Sequence, residues 1–276
     1  MNLVRAVCPR HVFSEVGRCR RIVTFYDRSC TYRVRGGDSC FGVEFVDDVG
    51  VRHKGPLAAL WSTRFERVNQ VRSFPSYRGQ KNFTGLYYAA TMDAHVGFES
   101  WAERDVAMML DFDLDVVAFS SQPFWLTWTQ GDEERRHSPD YFARLADGSG
   151  VVIDVRADDQ IEPEDAEAFD ATDRACREVG WTFRRTGGPD ATLAANVRWL
   201  AGYRHSRCYR DDVAKALLEV FTVRKPLMSG ARDTGDPIAV LPVLYHLMWK
   251  HQLVAELREG LLGLGSTVVA RQEAAA

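Results

Sequence analysis

No run of eighteen or more apolar residues occurs in this sequence, so it offers no helix long enough to cross a bilayer. Residues 1–10 lack the apolar segment of a secretory leader, and the expected compartment is the cytoplasm. Cysteine is sparse: six residues, at 8, 19, 30, 40, 176 and 208, with no CxxC pair. The first four are spaced too widely for a zinc ribbon or finger, so isolated thiols are expected. There is no internal repeat, and the only low-complexity tract is the terminal Glu-Ala-Ala-Ala at 273–276. A large excess of charge of one sign is also missing. The net charge of −3 over 276 residues excludes a polycation that would bind nucleic acid by bulk attraction alone.

What is present is a globular composition: 46% hydrophobic and 26% charged residues, enough to bury a core of one or two domains. Charge is unevenly spread. Residues 1–35 hold eight arginines against Glu15 and Asp27, a local excess of six positive charges. Such a stretch suits phosphate contact, and it equally suits an ordinary solvated surface.

Residues 1–90 read as short strands and loops, with strands over 21–26 and 40–45 and turns at 36–38 and 47–50. The segment 72–88 mixes basic and aromatic residues and suits an extended stretch on nucleic acid or a loop on the core. From 99 to 112 the pattern is helical, with Ala102, Val106, Met109 and Leu110 on one face and Glu99 and Glu103 four residues apart. Strands are expected over 116–119, 124–128 and 137–145, then a hairpin turn at Asp147-Gly148 and a buried strand over 151–155. Residues 163–179 read as a helix, with proline at its start and Gly180 past its end. A strand over 181–185 and a helix over 191–200 follow. The order implies an α/β fold with a mixed sheet flanked by helices. Beyond 203, helices over 211–221 and 237–250, a polar linker over 229–236 and two strands around a glycine-rich tip suggest a small winged-helix module. The expected divisions are 1–90, 91–202 and 203–276. Trp101, Trp125, Trp128 and Trp181 are expected in the core.

The stretch from Asp140 to Arg156 carries the chemistry. Asp140 and Asp154 lie seven residues either side of Asp147, so in a simple hairpin they oppose each other, with Cβ atoms ~5 Å apart. Two opposed carboxylates beside the apolar Val151-Val152-Ile153 repel, and a divalent cation between them removes the problem. All-oxygen ligands suit Mg²⁺ or Mn²⁺. Such an ion activates water and neutralises charge on a phosphodiester under attack. Glu103 is the candidate third carboxylate, with Glu99 in reserve.

Pro139-Asp140 followed by Asp154-Val155-Arg156 resembles the PD-(D/E)xK nuclease signature, with arginine in place of the usual lysine. The longer strings FESWAERDVAMMLDFDLDVVAFSSQPF (98–123) and HSPDYFARLADGSGVVIDVR (137–156) are similar to the N-terminal domain of TnsA-like transposase endonuclease subunits, over about residues 70 to 200. The resemblance implies a restriction-endonuclease-like core. It implies catalytic roles for Glu103, Asp140, Asp154 and Arg156, the first three as metal ligands. Arginine stays protonated at working pH, so Arg156 cannot serve as a base in the lysine's place. The resemblance further implies double-stranded DNA at transposon ends as substrate, cleavage of the strand whose 5′ end belongs to the transposon, and two partners: a DDE transposase subunit and an AAA+ ATPase regulator. Alternatives are a restriction or repair nuclease on the same core, and an inactive DNA-binding scaffold. Arg72, Arg78, Lys81 and His137 are candidate DNA contacts. Gln122 is a candidate for lining the site or a buried structural amide.

Overall fold

In a computed structural model of the chain, residues 41–74, 83–272 are described. Strands β1 (Gly42–Val46) and β2 (Arg52–Pro56) form a hairpin. Its turn is tied by Asp47, whose Oδ1 accepts the N–H groups of Val49 and Val51, and Gly50 takes the left-handed φ of 89°. Helix α1 (Leu57–Leu60) is a single turn, followed by a 3-10 turn at Phe65–Arg67. A second hairpin, β3 (Gly85–Ala89) and β4 (Ala94–Phe98), leads into α2 (Trp101–Phe112). Then come β5 (Val116–Ser121), β6 (Trp125–Gln130), β7 (Glu133–His137), β8 (Tyr141–Leu145) and β9 (Gly150–Val155). Helix α3 (Pro163–Val179), β10 (Thr182–Thr186) and α4 (Ala191–Ala201) close the central part. The C-terminal part holds α5 (Asp211–Val220), β11 (Lys225–Pro226), α6 (Leu227–Thr234), α7 (Pro237–Trp249), β12 (Leu253–Ala255) and β13 (Thr267–Ala270).

The architecture is mixed α/β. Two four-stranded sheets dominate, ordered β2-β1-β6-β7 and β10-β9-β8-β5. In the second, β5, β8 and β9 run antiparallel and β10 runs parallel to β9. Alternation along β8 and β9 sends side chains to two cores. Tyr141, Ala143, Val151 and Ile153 meet Val106, Ala107 and Met108 of α2 and Val197 and Leu200 of α4. Phe142 and Val152 point the other way, toward Ala171, Ala175 and Cys176 of α3 and the inner faces of β1 and β6. At the centre of that second core, fully buried Phe65 packs against Phe45, Phe124, Phe142 and Trp181 at centroid distances of 5.0 to 5.7 Å.

Two sequence expectations give way here. The strand expected over 124–128 does not lie in the sheet with 116–119; it pairs with β1 instead. The strand expected over 137–145 is two strands in different sheets, separated by Ser138, Pro139 and Asp140. Proline has no N–H for a ladder and restricts the residue before it, which breaks the run.

The C-terminal part is a helix, a short strand, two helices and a hairpin, with the three strands ordered β11-β13-β12. The linker expected over 229–236 is instead mostly α6, because Leu227, Gly230 and Ala231 bury against α5. Gly230 allows that approach: a Cβ there would sit 2.2 Å from the Phe221 ring. Ile238, expected inward, is 85% exposed; the buried side of α7 is carried by Val240, Leu244 and Leu247. One buried cluster runs from α2 and α4 into α7 across residue 202, and β1 shares a sheet with β6 across residue 90. Among the described residues, no helix is long and apolar enough to cross a membrane.

Candidate functional site

A cavity of about 700 Å³ opens where the two large sheets meet. Its walls come from the start of α2, from the β7 end with the crossing to β8, and from the end of β9 with the start of α3. Glu103, Asp140, Asp154 and Arg156 all line it, as do Glu99, Arg72 and His137.

The two aspartates come together because the hairpin register does. Tyr141 pairs with Ile153, so Asp140 and Asp154 form the next pair outward. The Asp140 N–H donates to Asp154 Oδ1 at 3.3 Å, and Asp140 Oδ2 accepts the Val155 N–H at 2.7 Å. Asp154 is 2% exposed, and His137 Nε2 lies 2.9 and 3.1 Å from its two oxygens. Burial pushes the Asp140 carboxyl well above its ordinary value, and the neighbouring charges of Asp154 and Glu103 push the same way.

Glu103 is placed by helix capping. Ser100 caps α2 by accepting the Glu103 N–H at 3.1 Å. In return Glu103 accepts from the Ser100 hydroxyl at 2.9 Å and from the Glu99 N–H at 2.7 Å. This is the Ser-x-x-Glu pattern of a helix start, legible at 100–103. It fixes the carboxylate at the cleft wall while occupying part of its acceptor capacity. Burial raises the Glu103 carboxyl, with the Glu99 charge adding to the rise; the two hydrogen bonds and Arg72 oppose it.

Glu99 lies before α2 rather than on it, and grips Arg72 at 2.8 and 2.5 Å through both oxygens. Arg72 is therefore turned to an acid inside the cavity. Arg156, at the other wall, reaches Asp165 of α3 at 3.4 Å. Gln122 has the left-handed φ of 45° and is 1% exposed; its amide atoms have no hydrogen-bond partner, and it does not line the cavity. Its main chain does support the site, since its N–H donates to the Asp140 carbonyl at 2.8 Å. Arg78, Lys81 and the basic segment 1–35 lie outside the described residues.

Trp125 and Arg136 are among the cavity residues that the sequence does not single out. Trp125, expected in the core, is only half-buried, with the Arg136 guanidinium 4.4 Å above its ring. Alternation along β6 carries the signal: Leu126 and Trp128 face inward, so Trp125 faces out. Trp101 is likewise on the surface, 51% exposed and stacked on Phe83.

The donors suit a hard cation in kind: carboxylates, one of them buried among like charges. Among the described residues, no group of three or more His, Cys, Asp or Glu side chains is arranged to enclose an ion. Comparison with protein-family models and with curated proteins finds no match for this chain.

Proposed function

We propose that the chain is a metal-dependent DNA endonuclease subunit of a heteromeric transposase, hydrolysing phosphodiester bonds at the transposon's 5′ ends. The observation that carries the reading is the convergence of Glu103, Asp140, Asp154 and Arg156, from α2 and both arms of the β8–β9 hairpin, on one cavity. The order of the central sheet and its helices supports a restriction-endonuclease-like core. The helix–strand–helix–helix–hairpin order after residue 210 supports a winged-helix module.

The required ion is Mg²⁺ or Mn²⁺. Asp140, crowded by Asp154 and Glu103, is the group that gains most from a cation, and Glu103 and Asp154 are the other candidate holders. Such an ion supplies charge neutralisation and an acidified water. The chain's own residues do the rest. Ser100 and the Glu99 N–H orient Glu103; the Val155 N–H orients Asp140; His137 orients Asp154. Arg156 stays charged and serves as a phosphate anchor once drawn from Asp165, with no part in proton transfer. Double-stranded DNA, a DDE transposase subunit and an AAA+ ATPase are the proposed partners.

A second reading, a DNA-binding scaffold without hydrolysis, draws on the Arg156–Asp165 pair and on the absence of a lysine at position 156. The test is cleavage of transposon-end DNA by the assembled complex in Mg²⁺ or Mn²⁺, wild type against Asp140→Ala. The nuclease reading expects 5′-strand products from wild type only. Equal products from both would remove it, and intact DNA binding with no cleavage from either would favour the scaffold.

A further inference from the structure

Three arginines line the cavity, and their surroundings differ. Arg72 is held by Glu99 through two hydrogen bonds, and Arg156 reaches Asp165. The Arg136 side chain makes no ion pair or hydrogen bond among the described residues, although five carboxylates share the cavity with it. Its guanidinium stacks on Trp125 instead.

The sheet explains this. Arg136 pairs with Thr127 across β6–β7, which puts Trp125 diagonally beside it on the outer face. On the other flank Trp125 opposes Glu44 of β1, and Glu134 lies two residues before Arg136 on the same face of β7. Glu44 is taken by Arg52 at 2.5 Å. Stacking fixes the plane of the guanidinium and leaves its N–H edge unengaged. A planar, oriented, unpaired guanidinium at the rim of a cavity matches an oxyanion that accepts two parallel hydrogen bonds.

We propose that Arg136, held flat by Trp125, binds a DNA backbone phosphate in this cavity. The inference rests on the nuclease reading and adds a second phosphate contact to it: Arg156 must first be drawn from Asp165, whereas Arg136 has no acid to leave among the described residues. Trp125 acts through Arg136 and is a positioning residue.

The test uses the full chain, a short fluorescent duplex, EDTA and a salt series from about 50 to 200 mM. Melting curves confirm that each variant is folded; Arg136 lies on an exposed strand face, so folding is expected to survive. Arg136→Ala is expected to bind roughly tenfold more weakly at the lowest salt and to lower the slope of log K against log salt by about 1. Arg136→Lys is expected to restore the slope but only part of the affinity, because lysine lacks the planar fork. Trp125→Ala is expected to weaken binding about threefold with the slope unchanged, since the charge remains. Arg135→Ala is the control: it lies on the same strand, next to Arg136, and pairs with Glu133 at 2.8 Å.

The proposal is overturned if Arg136→Ala binds as wild type does, if Arg135→Ala costs as much, or if wild type binds no duplex. It is separable from the nuclease reading. Cleavage that depends on Asp140 with binding that ignores Arg136 would sink the phosphate site alone. Binding that depends on Arg136 with cleavage indifferent to Asp140 would sink the nuclease alone.

Discussion

At the residue scale, Asp140 governs what the site costs the fold. Its carboxyl and that of Glu103 are both raised by burial and by acidic neighbours. Below the ordinary carboxylate range both are protonated in the folded and unfolded chain, and no penalty arises. As pH rises through their raised values the fold must carry charges that the unfolded chain holds in water, so stability is lost. Asp140→Asn is therefore expected to melt higher than wild type at about pH 7, with the margin closing below about pH 4. Melting temperatures that coincide across that range would contradict this. Mg²⁺ is expected to raise the wild-type midpoint and leave that of Asp140→Asn nearly unmoved, because only the former holds the full set of charges for an ion to relieve. Ser100→Ala removes the cap of α2 and is expected to cost about 1 kcal/mol by chemical denaturation. The Asp140–Asp154 pairing was legible from mirrored spacing about one turn. The partners of Arg72 and His137 were not, because long side chains choose among neighbours that only the assembled fold supplies.

At the element scale, what the sequence disclosed depended on how far each signal reaches. Proline at 163 and glycine at 180 bracket α3 because caps are local chemistry, and the helix runs Pro163–Val179 as expected. Strand partnership is not local. The apolar alternation of β6 says which side is inward but not which sheet, and β6 joins β1 from some eighty residues earlier. Pro139 is a local break, and it divides the strand expected over 137–145 into the end of β7 and β8. Phe65, from a single turn of 3-10 helix, fills the space these elements leave between them. Phe65→Ala is expected to destabilise by about 3–5 kcal/mol, read as a shift in denaturant midpoint with the slope unchanged. A loss below about 1 kcal/mol would mean that the surrounding rings collapse into the gap.

At the scale of the whole molecule, the C-terminal helices are part of the support for the central sheet. Asn196 of α4, 2% exposed, donates to the carbonyls of Leu257 and Gly260 at 2.8 Å and accepts the Leu262 N–H at 2.7 Å. His251 Nε2 lies 2.7 Å from the Phe112 carbonyl at the end of α2. Asn196→Ala removes the side-chain partner of three part-buried main-chain groups and is expected to cost about 1–3 kcal/mol. Truncation after residue 204 would uncover Val197, Leu200 and Ala201 and is expected to yield aggregated protein; a soluble, cooperatively melting 1–204 fragment would refute that.

The crossing at Ser138, Pro139 and Asp140 has a consequence for how the chain can vary in length. Within β8 an added residue would exchange the inward and outward sets, sending Tyr141 and Ala143 to the wrong core. At the crossing, the strands on either side keep their own registers, β7 against β6 and β8 against β9. A residue gained or lost there shifts the rim that bears Arg136 relative to the floor that bears Asp154, and leaves both interiors intact. The reach of the cleft is therefore open to adjustment by insertion or deletion while the fold stays the same.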